Sequence, residues 1–595
     1  MKQKSTLPQR RTFIDHALLI GILLFVVALS IFALSQQQKT LYGNAITAPT
    51  ESTNGTINTC GTITQPGTYD IIADFVASSS GMCITINADD VAIKGNNHFI
   101  TVPSGSNYAF FVNMHHGINI SDITLSNFKI GVRVYYSENL TIDNITFHVP
   151  KETGLTGVGV YGAEVYSSNF TTFTNLRMNI TESKGIYSAY SSQGVLISNS
   201  IFNSTNSNII LYVDTSYNVT ISNTTVNSNG LTLNPPLLFA QSTNILLTDS
   251  KVYRNSTAFK TISSLTNKNF TIQNSLISVN SSQSSAIYST GAVAIFAPWP
   301  YQYPTLTIQN STILTQGNNS LALSASLNDG ILIANSTLFT NGTNSTGAYF
   351  ADTSGVITSN STFSTAGDNS AGLFLERSLF HQNWHYTSNF TSTTTGTNSS
   401  GLRIKDGTYF PLTPFITTTG PSSQGILLED SDSSITYSFG NATVHTSGTN
   451  SFAIDHHGIS SSIGTFGGTY TSDQSPAFRT DNGLFSTTNT YTSTPSASVT
   501  GTGNYLAYYW TRLFVTSQEL PVVSPTITIT DTTKSPPEEI TSGTWSTTSI
   551  AALLSTNVTI SGTIIPQYSI TASKTGYMSN TTVFPAPIEE GTVYS

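Results

Sequence analysis

Three groups of side chains in this sequence have the types that acid–base chemistry requires. Arg403 and Lys405 place two cations two residues apart, and His456-His457 supplies two neighbouring imidazoles. Two adjacent carboxylates occur at Asp89-Asp90, far away in the chain. Hydrolysis of a glycosidic bond needs one carboxyl group as the acid and a second carboxylate as base or nucleophile, on either side of the bond. Such a site exists only if the fold brings these separated residues together.

Aromatic side chains suggest a different chemistry, because a flat apolar ring can stack against the face of a sugar ring. Trp299, Tyr301 and Tyr303 lie in an insertion at residues 294–304. A second irregular stretch, at residues 376–386, carries Trp384 and Tyr386. Loops that project from a regular scaffold often carry binding residues. We therefore predict that these five aromatic residues bind a ligand, and that the nearby histidine pair, which has no third ligand in sequence, does not bind a metal.

A nine-residue repeat indicates which elements must position these residues. The repeat occurs eight times between residues 139 and 363. Its sixth position holds a polar corner residue, and successive corner residues are mostly about 25 positions apart in the chain. Apolar residues in its second and fourth places alternate with Thr and Ser, which is the period of a strand with one buried face. Asn tolerates the left-handed conformation of a corner and can form ladders between coils. The corner residues are Asn144, Asn199, Asn223, Asp249, Asn274, Asn310, Asn335 and Asn360.

The repeat predicts an all-β solenoid whose coils each contain strand, corner, strand and a third strand in the variable remainder. Looser copies start at Gly117 and Asp90 on one side, and at Gly401, Gly425 and Ser462 on the other. Together these copies predict about sixteen coils.

The repeats resemble those of right-handed parallel β-helices of the pectin-lyase-like class, and NosD-type modules in particular. The segments CGTITQPGTYDI from Cys60 and CITINADDVAIKGNNHFITV from Cys83 are similar to the opening coils of such proteins on archaeal cell surfaces. The resemblance covers roughly residues 59–500 and implies the fold. Since the class contains lyases, hydrolases, adhesins and structural spines, it leaves the function open.

The possible catalytic fragments fit this class poorly. Residues 403–405 and 456–460 resemble polygalacturonase motifs, but that family places NTD and DD motifs ahead of the histidine, and no NTD occurs here. Both fragments also match a recurring unit that consists of two polar residues, a turn Gly and a strand. We expect every copy of this unit to lie at the same position of its coil. That unit starts at His115, Ser192, Asn328, Ser399, Ser423 and His456.

We therefore predict no catalytic residue, no metal and no cofactor. The expected function is adhesion, envelope structure or glycan binding at the cell surface, with a polysaccharide or surface glycan as partner. The alternative is a polysaccharide lyase or glycoside hydrolase. Three or more of Asp, Glu, Lys, Arg or His converging in one groove would favour the enzyme, because acid–base catalysis needs such groups within reach of one bond.

Residues 14–35 contain an uncharged apolar run long enough to span a bilayer, and the basic tail at residues 1–13 predicts a cytoplasmic N-terminus. A cleavable signal peptide is the competing interpretation. Either way the body is exported, as a single-pass membrane protein or, after cleavage, in secreted form. Only 9% of the 595 residues are charged, and the net charge of −9 gives no reason to expect a nucleic-acid partner.

Cys60 and Cys83 flank the first predicted coil, and an exported protein can join them in a disulfide. The alternative is two buried free thiols. Many N-x-S/T sequences, Asn203 and Asn441 among them, make glycosylation of the outer surface an expectation.

The chain therefore divides into the tail at 1–13, the membrane or signal segment at 14–35, a linker at 36–58, the β-helix at 59–503 and a final domain at 504–595. Alternating strands separated by Pro, Gly and Ser turns predict a small β-sandwich in that last domain. It resembles Ig-like or carboxypeptidase-regulatory-like modules, and we expect it to cap the open end of the solenoid.

Overall fold

A computed structural model describes residues 55–585 apart from a set of short segments. The predicted membrane segment at 14–35 precedes these residues and lies outside them. No helix in the described part of the chain has the length and hydropathy of a membrane span. The segments left out are 78–80, 103–107, 152–159, 206–208, 230–233, 256–258, 292–303, 378, 381–388, 407, 410–412, 432–435, 459–461, 481–483, 489–496, 500–503, 515, 518–519, 522–525, 532–536, 545–548, 560–561, 565–566 and 574–579.

The described residues form an all-β parallel solenoid, which confirms that part of the predicted fold class. Each full coil contributes one strand to each of three parallel faces, which we call faces 1, 2 and 3 in the order in which the chain visits them. The first corner joins face 1 to face 2, the second corner joins face 2 to face 3, and the third corner returns the chain to face 1. Face 1 has 18 strands in the described part of the chain, close to the predicted count of about sixteen coils.

Face 1 consists of strands that pair only with face-1 strands of the neighbouring coils. These strands are Gly61–Ile63, Met82–Ile86, Tyr108–Asn113, Ile130–Tyr135, Tyr161–Tyr166, Lys184–Ala189, Ile209–Asp214, Leu237–Ala240, Lys260–Leu265, Ser285–Thr290, Leu321–Ser326, Thr346–Ala351, Ala371–Glu376, Ser400–Lys405, Gln424–Asp430, Ile454–Gly458, Phe478–Thr480 and Ala497–Val499.

Faces 2 and 3 meet at the second corner, and five strands run through it without a break. The continuous strands are Val91–Thr101, His116–Ser126, Glu138–Val149, Thr436–Thr446 and Ser462–Ser472. The other strands of face 2 are Thr56–Ile57, Gly67–Ile71, Asn169–Thr174, Leu196–Ser198, Tyr217–Ser222, Thr243–Thr248, Lys268–Gln273, Leu306–Gln309, Asp329–Ala334, Ser354–Ser359, Leu379–Phe380, Thr408–Tyr409, Leu484–Thr488 and Asn504–Phe514. The other strands of face 3 are Phe75–Val76, Arg177–Thr181, Ile201–Thr205, Thr225–Ser228, Lys251–Arg254, Leu276–Val279, Thr312–Thr315, Thr337–Thr340, Ser361–Thr365, Asn389–Thr394 and Thr413–Thr418.

The core is built of columns of like residues, because in-register pairing stacks equivalent positions of successive coils. On face 2, Ile197 pairs with Ile221, which pairs in turn with Leu247. The column continues through Ile272 and Ile308, and all five side chains are at most 1% exposed. Each side chain buried in this way contributes about 1.5–3 kcal/mol to folding, so stability accumulates coil by coil.

The corner residues of the repeat lie at the second corner. All eight have φ angles between 45° and 51°, the left-handed region that Asn tolerates best among residues with a side chain. Side-chain amides link neighbouring coils: Asn223 donates to Asn199 at 2.7 Å, and Asn274 donates to Asp249 at 3.2 Å. Asn144 donates to Asp122 at 2.7 Å, one coil before the first copy of the repeat.

Two of the looser copies of the repeat lie elsewhere than predicted. The copies from Gly401 and Gly425 belong to face 1, because Leu402 pairs with both Leu373 and Ile426 there. The six fragments with a turn Gly are likewise not equivalent: Gly194 and Gly330 lie at the first corner with positive φ, whereas Gly401 lies inside a face-1 strand. The prediction was wrong because strands of face 1 and of face 2 both alternate inward apolar residues with outward polar ones. This two-residue period identifies a strand but does not show to which face the strand belongs.

Buried hydroxyl groups complete the corners. At the third corner a Gly-x-Asn-Ser pattern recurs, and each serine hydroxyl accepts from the backbone N–H of the serine one coil earlier. Ser345 N–H donates to Ser370 Oγ at 3.1 Å, and Ser370 Oγ donates to the carbonyl of Gly342 at 3.1 Å. Gly367 is required because a Cβ there would lie 1.9 Å from the Gly342 carbonyl oxygen. These bonds satisfy backbone groups that the turn would otherwise leave buried and unpaired.

The two cysteines form a disulfide, with Cα atoms 4.5 Å apart. It links the first two strands of face 1, in which Gly61 pairs with Ile84. In the described part of the chain no face-1 strand precedes Gly61–Ile63, so this covalent link restrains an end of face 1 that is paired on one side.

At the other end, strand Asn504–Phe514 pairs in parallel with Leu484–Thr488 and antiparallel with Ser549–Thr559. Strand Ser549–Thr559 then pairs with Gly562–Ile564, and Thr516–Ser517 pairs with Leu520–Pro521. A separate antiparallel sheet contains Glu538–Thr544, Thr526–Asp531, Gln567–Ser573 and Asn580–Pro585 in that order. Antiparallel strands are what a sandwich requires, while the two-layer sandwich itself stays a prediction.

Replacing Ser370 by Ala tests the hydroxyl column. The change leaves the N–H of Ser345 and the carbonyl of Gly342 without this partner, so we expect the free energy of unfolding to fall by about 1–3 kcal/mol in denaturant titration. Ser364→Ala, which removes a half-buried outward hydroxyl on face 3, should change it by less than about 0.5 kcal/mol. Equal effects of the two variants would contradict a special role for the column.

Candidate functional site

The outer surface of face 1 carries a continuous group of tyrosines in the N-terminal half of the solenoid. Alternation along each strand sends every second side chain outwards, and in-register pairing aligns these side chains from coil to coil. We call the group the tyrosine ridge. It consists of Tyr135, Tyr136, Tyr161, Tyr166, Tyr187, Tyr190 and Tyr212.

Ring contacts join the ridge in two rows. Along the first corner, Tyr135 and Tyr166 have centroids 5.1 Å apart, and Tyr166 and Tyr190 are 4.5 Å apart. On the strands, the ring of Tyr187 stacks on Tyr161 at 5.5 Å and on Tyr212 at 5.0 Å. Aromatic pairs at these separations stabilise each other and hold the rings in fixed orientations.

The two tyrosines at the first corner itself are the most accessible. Tyr136 is 47% exposed and Tyr190 is 52% exposed. Both have positive φ angles, 48° and 54°, so the corner turns their side chains away from the core. The ridge therefore combines a rigid base with rings that solvent and ligands reach.

A single arginine organises the N-terminal end of the ridge. The guanidinium of Arg133 lies 4.7 Å from the ring centroid of Tyr108 and 4.4 Å from that of Tyr135, and it donates to both hydroxyl groups. Its Nε atom lies 2.6 Å from Oε2 of Glu164, whose side chain is nearly buried. The charges cancel locally, so the ridge has no net charge at this point.

Burial shifts the titration of several of these groups. Burial, followed by the charge of Glu164, raises the pKa of Tyr135 to about 12. Burial also raises the pKa of Tyr166, Tyr187 and Tyr212. Phenols with such pKa values stay protonated at neutral pH. The ridge thus presents uncharged rings that carry hydroxyl groups able to donate and accept hydrogen bonds.

The C-terminal half of face 1 carries a different surface, a set of ion pairs between neighbouring coils that we call the ion-pair ladder. Lys405 Nζ lies 2.9 Å from Glu376 Oε1, and Tyr349 donates to the other oxygen of Glu376 at 2.5 Å. Arg403 binds Glu429 through two contacts, of 2.7 and 3.2 Å.

The ladder continues with a second group centred on a buried carboxylate. The side chain of Asp455 is fully buried, accepts from Arg479 Nε at 2.6 Å, and lies 3.2 Å from His457 Nε2. Arg479 also donates to His457 Nε2 at 2.8 Å.

The structure therefore brings Arg403, Lys405 and His457 onto one face, together with carboxylates that the sequence did not single out. His456 lies elsewhere: it is fully buried with Asp430, with Nε2 2.8 Å from Oδ2, and its Nδ1 lies 3.0 Å from Thr480 Oγ1. A polymer outside the solenoid has no access to His456, which stabilises the core instead. Asp89 lies near the N-terminal end and contacts His115 at 3.0 Å, far along the chain from the ladder.

The aromatic residues predicted to bind a ligand, Trp299, Tyr301, Tyr303, Trp384 and Tyr386, lie outside the described residues. The tyrosine ridge was missed, although a signal for it was present. Tyr136, Tyr166 and Tyr190 each precede a Ser and recur 30 and 24 residues apart, close to the coil period. A search for aromatic residues at that period predicts a stacked row.

Comparison with known proteins agrees on the fold. A family model described as a right-handed β-helix region matches residues 108–297, which include the whole ridge. No curated protein matches the chain. The matched stretch covers 190 of the 595 residues, and its description agrees with the parallel coils of the structure.

Solved structures that match the chain are distant. The A-module of the Azotobacter vinelandii mannuronan C-5 epimerase AlgE6 is 12% identical over 67% of this chain and 88% of its own, with a TM-score of 0.28. Vag8, solved in complex with C1 inhibitor, is 10% identical over 72% of this chain and 94% of its own, with a TM-score of 0.38. The tailspike of E. coli bacteriophage HK620 is 10% identical over 82% and 86%, with a TM-score of 0.31. These likenesses concern the fold alone.

Glu376 allows a test of the ladder by pH. The hydrogen bond from Tyr349, followed by that from Lys405, lowers its pKa below the ordinary value of 4.5. Its contribution to stability is present above the unfolded-state pKa and is lost as the pH falls through the lowered value. We expect Glu376→Gln to remove that part of the acid-induced loss of stability, which should be less than about 1 kcal/mol because solvent reaches both partners, with Lys405 44% and Glu376 22% exposed.

The measurement is the free energy of unfolding of both proteins between pH 7 and pH 2. High salt serves as the control, since 1 M NaCl should shrink the difference between the two curves by screening the pair. Parallel curves at low salt would show that Glu376 titrates alike in the folded and unfolded states.

Proposed function

We propose that this protein is an exported β-helix protein of the cell surface that binds carbohydrate through the tyrosine ridge without cleaving it. The observation that carries the proposal is the row of stacked, uncharged and partly exposed tyrosines across four successive coils. The apolar segment at residues 14–35 supports export and anchoring, and the many N-x-S/T sequences suit a glycosylated outer surface.

The chemistry of the ridge suits sugars for two reasons. Pyranose rings have apolar C–H faces that stack on aromatic rings, and the phenol groups meet the sugar hydroxyls with both donors and acceptors. The rigidity of the ridge lowers the entropy lost on binding, since the rings are already ordered before the ligand arrives.

The dimensions of the ridge point to an oligosaccharide. Successive coils are spaced by about 4.8 Å, so four coils extend over about 15 Å, the length of a few sugar units. Arg133 and Glu164 neutralise each other, and Lys184 beside Tyr161 and Asp214 near Tyr212 add one charge of each sign. The ridge therefore carries no net charge that would select acidic sugars. We therefore expect neutral glycans to bind better than uronates.

Removing the exposed rings tests this proposal. Tyr136→Asn and Tyr190→Asn delete the rings and keep a residue that tolerates the left-handed corner. Each change should weaken binding of a neutral glycan about threefold to tenfold, the loss expected for about 0.5–1.5 kcal/mol of ring contact. A glycan array of neutral and acidic sugars identifies the ligand, and calorimetry measures the dissociation constant.

Tyr253→Asn is the matched control. Tyr253 is 36% exposed on face 3, away from the ridge, and pairs in register with Asn227, so the same substitution is tolerated there. It should leave binding unchanged. Failure of every array sugar to bind, or equal losses in all three variants, would refute the proposal, as would a cytoplasmic location of the full chain.

An enzyme acting at the ion-pair ladder is the second candidate. Arg403, Lys405, Glu429 and His457 come together on one face in neighbouring coils, and such a cluster favours a lyase or hydrolase. Pairing, however, shifts the pKa values of Lys405 and of its partner Glu376 in the direction opposite to what catalysis needs. The pKa of Glu376 is lowered by Tyr349 and Lys405, while that of Lys405 is raised by Glu376. A general acid or base at neutral pH requires a raised carboxyl or a lowered amine value.

We accordingly expect no turnover of polysaccharide. The protein from residue 36 onwards is incubated with mixed neutral and acidic polysaccharides, and reducing ends and unsaturated products are measured over time. Release of either product that Lys405→Met and His457→Asn both abolish would establish the enzyme instead. Release that persists in both variants would indicate a contaminating activity.

A further inference from the structure

A recess lies on the opposite side of the coil from face 1, at the second corner in the C-terminal half of the solenoid. Its volume is about 350 Å³, and we call it the Phe415 groove. Its lining includes Asn360, Asn389, Thr391, Thr413, Phe415 and Asn441. These residues come from four successive coils, so the recess is a feature of the stack and not of a single turn.

The groove has a structural cause. Asn360 and Asn441 hold the left-handed corner position, with φ of 47° in both. The register places Asn389 and then Thr413 at the equivalent position in the two coils between them. The column of corner Asn residues is therefore broken at Thr413, whose side chain is shorter than an amide side chain.

Phe415 is the exposed aromatic residue of the lining. Its register partners on face 3 are Thr391 in the preceding coil and Thr443 in the following one. Phe415 is 52% exposed, which is unusual for a side chain of this size on a strand of an otherwise Thr-rich surface. Thr413 donates to the side-chain oxygen of Asn389, which orients that amide beside the ring.

The lining determines the ligand class. It contains three amides, three hydroxyls, a proline and two phenylalanines, of which Phe390 is buried and Phe415 is exposed, and no ionisable group. Amides and hydroxyls supply paired donors and acceptors, and the ring of Phe415 supplies a flat apolar surface. A ligand that matches both has many hydroxyl groups, an apolar C–H face and no charge. The volume lies at the small end of the range for ligand pockets.

We propose that the Phe415 groove is a second saccharide-binding site, separate from the tyrosine ridge, that takes a neutral mono- or disaccharide unit. The ridge and the groove lie on different faces and share no residue. The assignment therefore stands whether or not the ridge binds sugar.

The test uses the protein from residue 36 onwards in a Tyr136→Asn, Tyr190→Asn background, in which the ridge is disabled. The probes are neutral di- to tetrasaccharides of glucose, mannose and galactose, with oligouronates and a Thr-rich peptide for comparison. Binding is followed by saturation-transfer NMR and calorimetry. We expect a neutral saccharide to bind in this background, and Phe415→Ala to weaken it about tenfold, the factor for about 1.4 kcal/mol of ring contact.

Two further variants make the outcome specific. Phe415→Tyr keeps the ring and should retain binding, and Thr417→Ala, which removes a nearby outward hydroxyl that does not line the recess, should leave it unchanged. Absence of any neutral saccharide binding in the ridge-disabled background would overturn the groove while leaving the ridge proposal intact. Preference for oligouronates or for the peptide, or binding indifferent to Phe415→Ala, would also overturn it.

Discussion

The structure depends on one constraint: each coil must return to its starting point one strand spacing, about 4.8 Å, further along the axis. Three sharp corners per coil make this possible, and every corner risks burying backbone groups without partners. The chain meets the constraint with two devices. Asn residues in the left-handed conformation form the second corner. Columns of buried Ser hydroxyls form hydrogen bonds with the backbone N–H and C=O groups that the turns would otherwise leave unpaired.

Because the corners fix the register of strand pairing, an insertion between two coils does not shift that register. The interval between Asn274 and Asn310 is longer than a normal coil, yet the Asn310 amide donates to Asn274 at 3.3 Å as in an uninterrupted column. The stack therefore continues in phase after the longer interval. A fixed register also turns any side chain repeated at the coil period into a column, and this is how tyrosines form a ridge and opposite charges form a ladder.

The repeat itself made the fold predictable, since alternating apolar residues and a corner Asn every 25 or so residues admit few other architectures. The sequence did not determine to which face each strand belongs. Strands such as 400–405 and 330–334 share one alternation, and only the pairing partners of Leu402 and Ile331 separate face 1 from face 2. The sites were the least predictable part. Glu164, Glu429 and Asp455 are single acidic residues without a motif, and their roles depend on which residue lies one coil away.

The two surfaces of face 1 share a property that bears on what they do. On the ridge, burial raises the pKa of Tyr135 to about 12, so its phenol stays neutral. On the ladder, hydrogen bonds lower the pKa of Glu376, so its carboxylate stays ionised well into the acid range. Neither shift places the titration of Tyr135 or Glu376 near neutral pH, where general acid–base catalysis requires it. Groups that keep one protonation state over a wide pH range present the same hydrogen-bond donors and acceptors throughout that range. In-register pairing repeats such groups from coil to coil, so face 1 presents them in columns.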